Sequence, residues 1–386
     1  MRSTPWIGLL STCVALALPA RGWVLEEPAV FDLRMPESLF DAVPLELGDV
    51  HFDPEFARRN LPEGVKAVRE RLARSRPTTC HTQGLAISDQ HLFVSCSFYA
   101  DTLKRIRAYA ARSLLLRAPR GEVFQGKGEV RWEVVDLTTH EEDDRFEPPV
   151  TRVLGHPSGL ILAPEGKGLW LATAVYDPDT YALLHLLRWE GSAPPEAERP
   201  PLPVRDHVGT VGHFLRGRLV LGIAWGTRIH LFDLATGRAR SLESGLDVEY
   251  QDCDSWTERE IVCAGYQTRR EQAEDGEWQV QTGFLDVLAL EGEGFETWRL
   301  KKVLGIPARA INGKPLPAFE LGQGRFRYRE GSGDIEAVRN RYGDYESYLP
   351  LTNNGMAVSP DRRHVYFLPD DLPGARLIRF ELRAGS

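Results

Sequence analysis

Three histidines, an aspartate and an asparagine stand at or beside matching places in five stretches of this sequence. The stretches are HTQGLAISDQHLFVSCSFY from His81, HPSGLILAPEGKGLWLATAVY from His156, DHVGTVGHFLRGRLVLGIAW from Asp206, YQDCDSWTEREIVCAGYQ from Tyr250 and TNNGMAVSPDRRHVYFLPDD from Thr352. Aligned on Gly84, Gly159, Gly209, Cys253 and Gly355, they carry His81, His156, Asp206, Tyr250 and Thr352 three positions earlier. Gln83, Ser158, Val208, Asp252 and Asn354 stand one position earlier. Imidazole nitrogens with carboxylate and amide oxygens suit a divalent ion such as Zn, Mg or Ca. His81, His156, His207, Asp252 and Asn354 form the candidate metal set, His207 lying one place out of register. A metal held there would activate water or polarise a carbonyl. His156 and Asp252 are then the candidate catalytic pair of a hydrolase or lyase, lactonase- or esterase-like, acting on a small polar or cyclic substrate. The same ring also fits metal-free binding of a carbohydrate, small ligand or protein, and it fits plain hydrogen bonding to neighbouring backbone.

Each stretch reads as a polar start, a short apolar strand, a charged or Gly-containing turn and a second apolar strand. Further strand-like runs follow, such as ALLHLLRWE, RIHLFDLATGRARSL and ARLIRFELR. Repeats of roughly 40 to 50 residues with about four strands each predict an all-β fold, a β-propeller. Five blades are expected, beginning near residues 81, 156, 207, 250 and 353. Six is the alternative, because residues 300 to 350 are long enough for another blade. The Gly- and Pro-rich segment 303–350 is read as an insertion instead.

In such a ring the innermost strands begin around one axis, and the loops after the second strands return to the same face. Tyr99, Tyr176, Trp225, Arg228 and Tyr266 fall in or beside those loops. With Gln83 and Ser158 they make a candidate ligand-binding wall of polar groups among aromatic ones. Trp132, Trp170 and Trp298, and the strand histidines His185, His213 and His230, are read as structural. The acidic THEEDDRFEPP loop is read as solvated. The sequence contains no GxSxG elbow, no GxxxxGK[ST] phosphate loop and no paired-cysteine zinc framework.

The 386 residues include 26 Pro and 35 Gly, which favour many turns over long helices. A net charge of −8 supplies no general basic field, so nucleic acid is not an expected partner. Residues 1–22 combine Arg2, an apolar run and small residues Ala20 and Gly22 before Trp23, the pattern of a signal peptide. A secreted or periplasmic monomer with no stable membrane insertion is expected. Removing that segment leaves Cys80, Cys96, Cys253 and Cys263, an even set placed across two hairpins and read as two disulfides. Residues 23–79 form an N-terminal extension in which PEGVKAVRERLARS reads as a surface helix. AVPLELGDVHF is expected to add an outer strand to the last blade and close the ring.

The segment NNGMAVSPDRRHVYF resembles the Asn-Gly…Ser-Pro-Asp stretch of gluconolactonase and strictosidine-synthase-like propellers. The resemblance implies a metal-ligand role for Asn354. The metal-binding Glu of that group, near the start of the first blade, has no clear match in this chain. More broadly, HTQGL, HPSGL, DHVG, IAWGTR and YQDC are similar to motifs of an uncharacterised bacterial family of exported propeller-like proteins, a domain of unknown function. That resemblance implies the architecture and export, and names no substrate.

Overall fold

The apolar runs of the repeats are too continuous for strands with one wet face. In the strand His81–Ile87, Leu85 and Ile87 leave one face and Ala86 the other, as strand geometry demands. Leu85 and Ile87 pack with Leu92, Val94, Leu114 and Leu116 against Ala357, Tyr366, Leu368 and Leu377. Ala86, Phe93 and Leu115 pack instead on Leu160, Leu169, Leu171 and Leu187. One sheet thus buries both faces, each against a different neighbour. This stacking of sheets side by side is what the repeat pattern encodes.

The computed structural model describes residues 22–36, 38–41, 46–47, 80–99, 110–137, 140–143, 150–153, 156–163, 168–176, 182–189, 196–197, 202–204, 210–214, 217–274, 276–307, 310–311, 314–315, 323–328, 335–340, 351–369 and 371–384, with isolated positions 66, 67, 70 and 191. Residues 1–21 and most of the PEGVKAVRERLARS segment lie outside the described residues. Among the described residues the fold is a five-bladed β-propeller. Blade one is built on His81–Ile87, His91–Tyr99 and Ala110–Pro119, and blade two on His156–Leu162, Leu169–Tyr176 and Ala182–Trp189. Blade three comprises Thr210–Phe214, Val220–Trp225, Arg228–Asp233 and Arg238–Glu243. Blade four contains Glu249–Thr257, Glu260–Ala273, Gly276–Glu291 and Arg299–Gly305. Blade five contains Gly355–Val358, His364–Leu368, Arg376–Ala384 and, on its outer edge, Trp23–Asp32. The first strand of each blade touches the first strand of the next, and the fifth returns to the first, so the ring is closed.

The outer edge of the last blade comes from the opposite end of the chain. Trp23–Asp32 runs antiparallel to Arg376–Ala384, from Trp23 opposite Ala384 to Asp32 opposite Arg376. Leu25 is fully buried there in the core between blades four and five. The AVPLELG segment does something else: Glu46 and Leu47 pair with Ala111 and Ala110 on blade one. Edge pairing is a non-local choice, and alternation alone does not say which of two nearby runs makes it.

The segment after residue 303 adds strands to blade four. Gln323–Tyr328 pairs with the Gln279–Thr282 part of the long Gly276–Glu291 strand and with Ile335–Asn340. The expected cysteine pairs are both present. Cys80 joins Cys96 with Cα atoms 5.5 Å apart, and Cys253 joins Cys263, its direct cross-strand partner, at 4.0 Å.

The recurring glycine marks the point where inner strands crowd the axis. A Cβ added to Gly84 would lie 2.9 Å from the Leu160 nitrogen and 3.1 Å from Gly159 Cα. One added to Gly355 would lie 3.0 Å from Leu85 Cβ and 3.2 Å from the Gly84 carbonyl carbon. Backbones of blades five, one and two approach too closely for any side chain, which is a reason for glycine at these places.

Candidate functional site

At the end where inner strands begin, several polar groups are engaged by the protein itself. Asp252 is fully buried; its Oδ2 accepts the Met356 N–H at 2.6 Å and its Oδ1 accepts the Cys253 N–H at 3.0 Å. Asn354 Nδ2 donates to the Pro369 carbonyl at 2.9 Å, and Thr352 Oγ1 donates to the Gly265 carbonyl at 2.6 Å. Tyr250 donates its hydroxyl to Asp286 Oδ2 at 2.9 Å. His81 Nδ1 lies 2.7 Å from Asp371 Oδ1, tying blade one to blade five. The Asp252–Met356, Thr352–Gly265 and His81–Asp371 contacts tie adjacent blades together, while Asn354–Pro369 and Tyr250–Asp286 stay within one blade.

The remaining expected residues are divided. His207 lies outside the described residues, and so do the side chains of His156, Ser158, Tyr99, Tyr176 and Trp225, whose backbones are in strands. Gln83 and Tyr266 are half-buried. Arg228 is exposed, its Nε donating to Glu243 Oε1 at 2.5 Å across the outer pair of blade three. Among the described residues no group of three or more His, Cys, Asp or Glu is arranged to hold a metal ion.

A cavity of about 870 Å³ opens at the other end of the axis, where the inner hairpins turn. Every blade contributes to it. Ser88 and Gln90 come from the first turn, Ala163 and Gly168 from the second, His213 from the third inner strand, Asp254 and Ser255 from the fourth, and Ser359 and Arg362 from the fifth turn. Phe93 and Trp189 form an edge-to-face pair in its wall, 5.9 Å between ring centroids and 84° apart in plane. Arg117 lies over the Trp189 ring at 4.9 Å and is paired with Glu133.

Asp254 repeats the Asp252 arrangement two residues along the strand, on the same face. Its Oδ2 accepts the Val358 N–H at 2.8 Å and its Oδ1 the Ser255 N–H at 2.6 Å. Burial nevertheless pushes its carboxyl up to about 6, against the opposing pull of the Val358 and Ser255 N–H groups and of Arg362. His213 moves the other way: burial lowers it to about 4, so the ring is neutral at ordinary pH. Its backbone N–H donates to Ser255 Oγ at 3.1 Å, and the same hydroxyl is in close contact with Nδ1. The Ser255 hydroxyl and the ring thus share one hydrogen bond, which fixes the imidazole's orientation at the cavity. Burial first, and then Arg117, also lowers His91 at the cavity edge.

Together these groups provide a carboxyl raised by burial, a neutral imidazole, a guanidinium and an aromatic wall around one space. His213, Asp254, Ser255 and Arg362 are not among the site residues expected from sequence, where His213 reads as structural. A signal existed in YQDCDSW, since a second acidic residue two places after Asp252 leaves the strand on the same side, further along the axis.

No family model matches the chain, and no curated protein matches it. Similar solved structures include a glycosyl hydrolase from Bacteroides ovatus, at 8% identity and a TM-score of 0.37, covering 91% of this chain and 94% of that one. The β-propeller domain of the Trilobed protease from Pyrococcus furiosus is 10% identical with a TM-score of 0.33, over 79% of this chain and 84% of its own. The WD40 domain of Toxoplasma gondii coronin is 13% identical with a TM-score of 0.33, over 80% and 85%. At such scores the architecture rests on the chain's own sheets.

Proposed function

We propose that this chain is an exported five-bladed propeller that binds a small polar ligand, a carbohydrate in chemical class, in the cavity at the hairpin-turn end of its axis. One observation carries the reading: all five blades converge on a single space that sets Trp189 and Phe93 beside Asp254, His213 and Arg362. Apolar walls with a few convergent polar groups are how small-molecule sites are built. Sugars need both, because their C–H groups pack against apolar edges while their hydroxyls need donors and acceptors. Two disulfides accord with an oxidising compartment, and no described helix is long and apolar enough to cross a membrane.

Ligand-observed NMR against a panel of mono- and oligosaccharides tests the reading, with Gln90→Trp as the control. Gln90 is an exposed residue of the cavity mouth, and its inter-residue backbone hydrogen bonds, to Ser88 and Arg120, survive the change. Saturation transfer to a sugar that Gln90→Trp removes supports the site. Transfer that the variant leaves intact places the sugar elsewhere and refutes it.

A second reading, a hydrolase or lyase at the same cavity, is favoured by Asp254. A carboxyl raised to about 6 by burial can deliver a proton near neutral pH. The divalent-metal version at the opposite face would need His156 and His207 to join His81, since Asp252 and Asn354 already serve backbone groups. Elemental analysis of protein purified without chelator decides it: a stoichiometric ion lost in His156→Ala supports it, and less than one ion per chain ends it.

A further inference from the structure

The mouth of the cavity carries one arginine with an unusual backbone. Arg362 has φ 55°, in the left-handed region that glycine or asparagine ordinarily occupies. The surrounding turn holds it there. The Arg362 N–H donates to the Ser359 carbonyl at 2.8 Å, while Ser359 Oγ donates to Asp361 Oδ1 at 2.6 Å and accepts the His364 N–H at 3.0 Å. The turn itself would be better served by glycine, so a long cationic side chain at this point calls for a reason outside the turn.

Its neighbours show what is missing. Arg117 faces Glu133, Arg120 stands 3.9 Å from Asp89, and Arg363 stands 3.9 Å from Asp361. The Arg362 guanidinium has no hydrogen bond or ion pair among the described residues, although it lines the cavity. It acts electrostatically on Asp254 without a direct contact, and the Asp254 oxygens accept the Val358 and Ser255 N–H groups. A planar fork of donors over an open space matches a planar carboxylate better than it matches a hydroxyl.

We propose that the ligand of this cavity is an acidic sugar, a uronate, whose carboxylate is bound by Arg362 while its ring lies toward the Trp189 and Phe93 wall. This rests on the carbohydrate reading above and adds the charge. The other groups agree with it. The neutral His213 ring and the exposed Gln90 amide offer polar contacts suited to ring hydroxyls. The arrangement around Arg117 explains why that residue is not the anion receptor: it is spent on Glu133 and on the Trp189 face.

Calorimetric titration of the full chain with methyl glucuronide and with methyl glucoside tests the proposal. The uronide is expected to bind about fivefold to tenfold more tightly at low salt, with the preference shrinking as salt rises. Arg362→Gln should reduce the preference to near unity and leave the glucoside affinity unchanged. Arg362→Gly should do the same in a fully folded protein, since glycine suits that turn. Equal affinities for the two glycosides in the natural chain overturn the acidic-sugar proposal and leave the carbohydrate reading standing. Binding of neither, in protein whose fold is intact by circular dichroism, overturns both.

Discussion

Replacing Asp252 by asparagine separates a carboxylate that holds blades together from one that does chemistry. Both oxygens of Asp252 accept backbone N–H groups, one within its own strand at 3.0 Å and one across to blade five at 2.6 Å. An asparagine side chain has one acceptor oxygen, so its NH₂ must face one of the two donors. The variant loses one charge-assisted hydrogen bond and leaves a buried N–H without a partner. Hydrogen bonds to charged groups contribute about 1.5–3 kcal/mol, and an orphaned buried donor costs a comparable amount. The expected loss is about 2–4 kcal/mol, measured by urea unfolding followed through tryptophan fluorescence with the disulfides intact. Sugar affinity of the folded variant should match that of the natural chain. A stability change below about 0.5 kcal/mol together with loss of ligand binding or turnover would refute the structural assignment and restore Asp252 to the candidate site.

Four further outcomes follow from the same geometry. His213 and Asp254 act oppositely on stability between about pH 4 and 6. Burial keeps His213 unprotonated down to about 4, against 6.5 in the unfolded chain, so its contribution rises with pH over that window. Burial keeps Asp254 protonated up to about 6, against 3.8, so its contribution falls as pH rises through the same range. The two slopes largely cancel in the natural chain; His213→Gln should expose the Asp254 slope, a loss of up to about 3 kcal/mol from pH 4 to 6, and a flat profile in that variant would contradict it. Reducing either disulfide, which close separations of 16 and 10 residues, should cost about 3 kcal/mol by loop entropy, read as a lower urea midpoint. Removing residues 22–32 should expose the edge of the last blade and the buried Leu25, lowering stability by at least about 2 kcal/mol, whereas an unaltered midpoint would mean that the strand is dispensable. Arg362→Gly should leave stability within about 1 kcal/mol of the natural chain, because relief of the left-handed arginine offsets the greater chain entropy of glycine.

The blade pattern was legible because it is local. Leu85, Ala86 and Ile87 are consecutive apolar residues that serve two neighbouring sheets, and a short run of that kind bounded by turn residues fits a strand covered on both sides. Cysteine placement announced both disulfides for a similar reason, since a hairpin brings residues on either side of its turn together: Cys253 faces Cys263 directly, while Cys96 faces Thr82 and joins Cys80 two places along. Gly84 and Gly355 were visible as register marks, and their meaning as points of backbone contact needed the neighbouring strands.

What tertiary structure alone decided is where the described residues leave an open space on the axis. Alternation puts Asp252 and Asp254 on the same side of one strand, but it does not say that blade five brings Met356 and Val358 against them. Nor does it say that an open space begins beside the second carboxylate. The closing strand Trp23–Asp32, the neutral state of His213 and the exposed guanidinium of Arg362 share that character. Each depends on what a distant part of the chain places beside it, whereas strand and turn depend on the few residues on either side.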